Sequence, residues 1–162
     1  MKIRFPTRVT LRSLTVSMES GVKIVADKAS KVFFGKWNYV SRLANIEVYD
    51  GGEIRFGDRI FFNKNFSVVS RYKITIGNDC QFGPNVCVYD HSHSYGEDVP
   101  ISKQGYHCAP IVIGNNVWIG AGCFIKAGTT IGDNSVIGAN TLVINDVEEN
   151  SVICNKVEML LL

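Results

Sequence analysis

IGNNVW IGAGCF IKAGTT IGDNSV IGANTL VINDVE, residues 113–148, is a run of six hexads, and it decides the fold. The first position reads Ile113, Ile119, Ile125, Ile131, Ile137, Val143, β-branched every time. The second is Gly at 114, 120, 132 and 138, and the fifth (Val117, Cys123, Thr129, Ser135, Thr141, Val147) is always small or β-branched. A period of six fits neither an amphipathic helix nor simple strand alternation. It fits a strand of about four residues followed by a two-residue corner, with three hexads returning the chain one strand spacing higher, roughly 4.8 Å. The first position then points into a triangular core, and the small fifth position fits where the walls converge. Gly, Asn and Asp at the corners tolerate positive φ. The expected product is an all-β parallel solenoid held by nearest-neighbour contacts.

Working outward, the frame continues upstream in IGNDCQ from Ile76 and FGPNVC from Phe82, and more loosely in FGDRIF from Phe56 and FNKNFS from Phe62. A slip of two residues separates the hexad at Val68 from that at Ile76. One long interruption, YDHSHSYGEDVPISKQGYHCAPIV at 89–112, carries all three histidines of the chain, His91, His93 and His107. An excursion of this length is often functional. The chain is read as one β-helix domain over 1–162: clear hexapeptide coils at 56–148, a protruding loop at 89–112, irregular N-terminal coils at 1–55 and a short tail at 149–162.

Composition narrows the function. The 162 residues are 46% hydrophobic and 20% charged, enough apolar material for a core. A net charge of +2 with no Lys/Arg run argues against nucleic acid or an anionic membrane surface. The interrupted apolar positions of Met1–Ser20 do not read as a signal peptide, and no apolar run is long enough to span a bilayer. Five cysteines without a CxxC fit reduced thiols better than disulfides or zinc, so a cytoplasmic setting is expected. Cys80 and Cys123, at fifth positions, are read as core filler.

VWIGAG at 117–122, TIGDNSVIGAN at 130–140, and PNV at 84–86 followed by His93 nine residues after Pro84 resemble the hexapeptide-repeat acetyltransferases. The similarity is to the branch of the maltose and galactoside O-acetyltransferases and the colanic-acid, capsule and O-antigen acetyltransferases. It is firm from about Phe56 to Asp146. The resemblance implies a left-handed coil, a sense that physics alone would not supply because parallel β crossovers are right-handed almost always. It also implies a homotrimer with each active site between two subunits, acetyl-coenzyme A as co-substrate, and a sugar or glycan acceptor.

Carried over residue by residue, the resemblance puts the catalytic base at His93 and an acceptor contact at Asn63. It puts a backbone N–H toward the thioester at Ala121, and the pantetheine channel at Trp118 and Ala139. Trp118 is also an outward sixth-position residue, costly unless a ligand or subunit covers it. Asp90 and His91 are read as further acceptor contacts, with His91 the other candidate for the base, and His107 as a residue of the coenzyme entrance. No metal is expected, since adjacent loop ligands such as Asp90, His91 and His93 rarely supply a closed site.

Three departures stand out. Arg71 replaces an acidic acceptor-binding residue and hints at an acidic or phosphorylated acceptor. VIND at 143–146 replaces VTKD and loses a Lys, and SVICNKVEMLLL at 151–162 replaces a more basic ending.

An imidazole can take the proton of a hydroxyl as it attacks a thioester, while fixed N–H donors stabilise the developing oxyanion. The expected activity is acetyl-coenzyme-A-dependent O-acetylation of a sugar or glycan precursor by direct transfer. Two other classes stay open: N-acetylation of an amino-sugar nucleotide or other amine, and a non-catalytic solenoid serving assembly or binding.

Overall fold

The computed structural model describes residues 9–11 and 15–155; Lys156 and Met159–Leu162, noted above for the tail, lie outside them. The described chain winds into three parallel sheets of six, seven and six strands, one along each side of a prism. The first sheet runs from Val9–Leu11 to Thr130–Ile131, the second from Ser17–Met18 to Val152–Ile153, and the third from Lys23–Ala26 to Leu142–Val143. This is the all-β helix of hexapeptide repeats that the sequence predicts, consistent with the left-handed coil of the resemblance.

The hexad columns explain the interior. Ile113, Ile119, Ile125, Ile131, Ile137 and Val143 are all at most 2% exposed, and the fifth-position residues Val117 to Val147 are buried beside them. The fourth position turns the corner: Asn116, Gly122, Gly128, Asn134 and Asn140 all have positive φ, where Asn and Gly are least strained. Cys80 and Cys123 are core residues, as expected. Their thiols meet the Gly114 and Gly138 carbonyl oxygens at 3.1 and 3.0 Å, and burial pushes the Cys80 thiol up to about 11. Below Gly83 the interior turns aromatic: Phe34, Phe56, Phe62, Phe66 and Phe82 pack with neighbouring centroids 4.7 to 5.4 Å apart.

Coil length is not constant. Phe34 pairs with Phe56 and Phe56 with Ile76, steps of 22 and 20 residues, whereas Ile113 pairs with Ile131, a step of 18. The extra residues all fall at one corner, between the third sheet and the next strand of the first. There the chain adds a turn at 49–52, a bend at 71–72, and, one coil higher, the whole 89–112 loop. The loop therefore grows from a corner already widened in the two coils beneath it. It projects as an antiparallel hairpin of His91–His93 with Tyr106–Cys108, bridged at its far end by a short 3-10 turn at Ile101–Lys103.

Candidate active site

The residues singled out in the sequence gather at two corners. The corner between the second and third sheets is built from stacked pairs, Gly83-Pro84, Gly120-Ala121 and Gly138-Ala139. A Cβ on Gly83 would lie 2.6 Å from the Ala121 nitrogen, and one on Gly120 would lie 2.6 Å from the Ala139 nitrogen. Only glycine permits this stacking, which is the physical reason for the second-position column. Asn63, Trp118, Ala121 and Ala139 line one groove here, about 430 Å³ in volume, together with Pro84 and Val136. Trp118 stands outward between Gln81 below and Val136 above, and is 57% exposed.

Some donors of this groove are spent and others are not. The Gly120 N–H donates to Ile137 O, Gly122 N–H to Pro84 O and Asn140 N–H to Ala121 O. The N–H groups of Ala121 and Ala139 have no partner among the described residues. Asn63 uses its carboxamide oxygen to accept the Lys64 N–H at 2.8 Å, and its NH2 has no such partner either. An apolar channel with N–H groups at intervals along one wall suits an extended chain carrying carbonyl oxygens. The residues therefore fit the pantetheine arm and thioester of acetyl-coenzyme A.

The second corner carries the histidines. His91 pairs with Cys108 and His93 with Tyr106 across the hairpin, and Ser92 pairs with His107. Alternation along a strand puts His91, His93 and Tyr106 on one face and His107 on the other. His91 is half-buried, edge-on to Tyr106 at 5.4 Å and stacked on Tyr89 at 6.1 Å, with Asp90 Oδ1 3.3 Å from its Nδ1. His93 is exposed, its ring 4.6 Å from that of Tyr106. His107 lines a separate groove of about 500 Å³ with Tyr95, Cys108 and Lys126.

Two residues expected at the acceptor are engaged inside the protein. Asp90 is fully buried; its carboxylate accepts the Ser70 hydroxyl at 2.6 Å and the N–H groups of Arg71 and Tyr72 at 2.8 and 3.0 Å. It clamps the widened corner below and stands behind His91. The Arg71 guanidinium pairs with Asp50 and lies 3.8 Å over the Tyr106 ring, so its charge is balanced. Tyr106 was not singled out in the sequence, because only the hairpin register places it opposite His93. Among the described residues no three His, Cys, Asp or Glu side chains are grouped to hold a metal ion.

Within one chain the two corners stand apart by the width of the third sheet. The chain turns at Pro84–Asn85 and then crosses the strand Cys87–Tyr89 before it reaches Asp90 and the hairpin. Neither corner alone holds both a base and a thioester groove.

Residues 110–145 match the family model of the bacterial transferase hexapeptide, six repeats. The galactoside O-acetyltransferase of Escherichia coli is 40% identical over 102 residues, covering 63% of this chain and 50% of that protein. WbbJ of Escherichia coli, named for O-acetyl transfer in lipopolysaccharide biosynthesis, is 30% identical over 74% of this chain and 65% of its own length. A hexapeptide-repeat acetyltransferase of Vibrio cholerae, solved with acetyl-coenzyme A, superposes with a TM-score of 0.66 at 34% identity, covering 75% of this chain and 64% of that one. The chain spans about half the length of the galactoside O-acetyltransferases it matches. By repeat and fold this is a β-helix of hexapeptide repeats, similar to proteins named as acetyltransferases.

Proposed function

We propose that the protein is an acetyl-coenzyme-A-dependent O-acetyltransferase acting on a sugar or glycan precursor of the surface-polysaccharide kind. The observation that carries this reading is the pair of unspent N–H groups, Ala121 and Ala139, stacked along an apolar groove beside the exposed Trp118. Relatives named for galactoside and lipopolysaccharide O-acetylation support the acceptor class.

In this scheme the groove holds the thioester carbonyl against the Ala121 N–H. His93, exposed and with no hydrogen-bond partner among the described residues, takes the proton of the acceptor hydroxyl as its oxygen attacks the carbonyl carbon. The Ala121 N–H bears part of the charge that develops on the carbonyl oxygen. The C–S bond then breaks, and the imidazolium returns its proton to the departing sulfur. Asn63 at the groove and His91 at the hairpin contact the acceptor, and Asp90 fixes His91. Because the two corners are separated within one chain, the working site forms where the hairpin of one copy meets the groove of the next, in a closed trimer.

The test is thiol release from acetyl-coenzyme A against a panel of sugars, glycan precursors, amino sugars and sugar nucleotides. Turnover with a hydroxyl acceptor supports the reading. Turnover with amines alone would make the protein an N-acetyltransferase, and no turnover with any acceptor would favour a binding or assembly role.

A further inference from the structure

The widened corner beneath the histidine hairpin has a feature that the transfer scheme does not use. Asp50 belongs to the turn added in one coil, Arg71 to the bend added in the next, and Tyr106 to the hairpin above them. The three are stacked in a column: Asp50 pairs with the Arg71 guanidinium, and that guanidinium lies 3.8 Å over Tyr106 and 5.4 Å from the Tyr49 ring. The Tyr106 ring also lies 4.6 Å from that of His93 and 5.4 Å, in a T-shaped pair, from that of His91.

We propose that Arg71 and Tyr106 are positioning residues, a cation–π brace that pins the projecting hairpin to the solenoid and sets the place of His93; this rests on the acetyltransferase reading. The hairpin needs such a brace. It is a two-stranded element with no third strand beside it, and a lone hairpin is marginal in water. Its strand Tyr106–Cys108 is exposed throughout, so little apolar burial holds it. Just past its second strand, the Ala109 N–H donates to Asp90 O at 2.9 Å and ties the hairpin to the base of the loop. A guanidinium is suited to the task, because it can stack on a ring and pair with a carboxylate at once. With its charge balanced by Asp50 and its Nε buried, Arg71 is poorly disposed to serve an anionic acceptor.

The experiment compares Arg71→Met, Tyr106→Ala, Tyr106→Phe and the Arg71→Met/Tyr106→Ala double variant in the full chain, by amide exchange and steady-state kinetics. In Arg71→Met and Tyr106→Ala, amides of 91–93 and 106–108 should exchange at least about tenfold faster while amides of the three sheets keep their protection. The kcat should fall by about 10- to 100-fold, the penalty of a slightly misplaced group, with KM for acetyl-coenzyme A within about twofold of the parent. The double variant should be no worse than the poorer single one, since both break one brace. Tyr106→Phe, which keeps the ring, should restore exchange and turnover together. Unchanged hairpin exchange with a raised KM for the acceptor alone would overturn the proposal and make Arg71 an acceptor contact. If the parent protein turned over no acceptor, the acetyltransferase reading would fail, and the exchange rates would still decide whether the brace exists.

Discussion

Asp90 Oδ1 lies 3.3 Å from Nδ1 of His91, whereas His93, two residues on and on the same face, has no such partner among the described residues. One ring is held by the fold and the other is left with both nitrogens unspent. That division supports His93 as the proton acceptor and His91 as a fixed contact. His93→Ala should lower kcat by about 10²- to 10⁴-fold, the usual share of general-base catalysis, and leave acetyl-coenzyme A affinity intact by calorimetry. His91→Ala should cost about tenfold or less. The reverse order of the two variants would move the base to His91, with Asp90 as its partner.

Pro84 occupies in one coil the corner position that Ala121 occupies in the next. A proline is therefore compatible with that corner, preceded in both coils by glycine. Ala121→Pro removes a single N–H that bonds to nothing inside the protein. The variant should fold with a melting temperature close to the parent's and lose about 10²- to 10³-fold in kcat, the typical cost of one oxyanion donor. A fully active Ala121→Pro enzyme would place the donor elsewhere.

These two lesions also test where the site is built. His93→Ala damages the hairpin and Ala121→Pro damages the groove. If each site takes its hairpin from one copy and its groove from another, trimers refolded from an equal mixture should recover about a quarter of parental turnover. Light scattering should give three copies per particle. No recovery on mixing, or full activity in a monomer, would contradict a shared site.

Asp90 satisfies a hydroxyl and two backbone N–H groups in a fully buried place. Asp90→Ala strands those donors and should cost about 3 kcal/mol by urea denaturation, since each unsatisfied buried donor costs about 1–3 kcal/mol. Asp90→Asn retains an acceptor oxygen and should cost less. A neutral Asp90→Ala would mean that the corner relaxes and lets water in.

Acid should loosen the coils. Asp133 accepts the Asn115 backbone N–H and then its carboxamide, and these bonds hold its carboxyl below the ordinary value. Asp79 is lowered by the Arg59 guanidinium. A carboxyl that titrates lower when folded than when unfolded adds stability above its unfolded value, about pH 4, and loses it as the pH falls through the folded value. The urea midpoint should be flat from pH 7 to 5 and decline below pH 4. Asn78 and Asn115 play the same acceptor role in the coils below, so Asp133→Asn should keep the bond and shed part of the acid sensitivity. An acid limb identical to the parent's would show that Asp133 does not contribute to it.

The upper coils were legible in the sequence because each side there is six residues long. Ile113 to Val143 fall into one column that can be read without coordinates. The lower coils use the same walls, and strands such as Lys31–Phe34 and Lys73–Ile76 bury every second residue. Steps of 22 and 20 residues throw the frame out of phase once per turn: the slip of two before Ile76 could still be followed, whereas the longer shift before Phe56 hid the coils beneath it. The groove residues Asn63, Trp118, Ala121 and Ala139 were legible because corners repeat. The burial of Asp90 was not, because it depends on Ser70, Arg71 and Tyr72 arriving from the coil beneath. Tyr106 was invisible for a related reason: the spacing from His93 to Tyr106 does not announce which residues of a long loop will pair.

The added residues at 49–52, 71–72 and 89–112 all enter at one corner, and the sheets above and below keep their register across each of them. The two remaining corners carry the glycine-stacked groove and the asparagine turns, and from Phe34 upward each keeps its six-residue spacing. Evolution, or an engineer, thus has a single port in this scaffold through which foreign sequence can be spliced without disturbing the stack. Under the proposed scheme, exchanging the three inserts together, with Asp50, Arg71 and Tyr106, for those of a relative should shift acceptor choice in the thiol-release assay while the groove at Trp118 stays as it is.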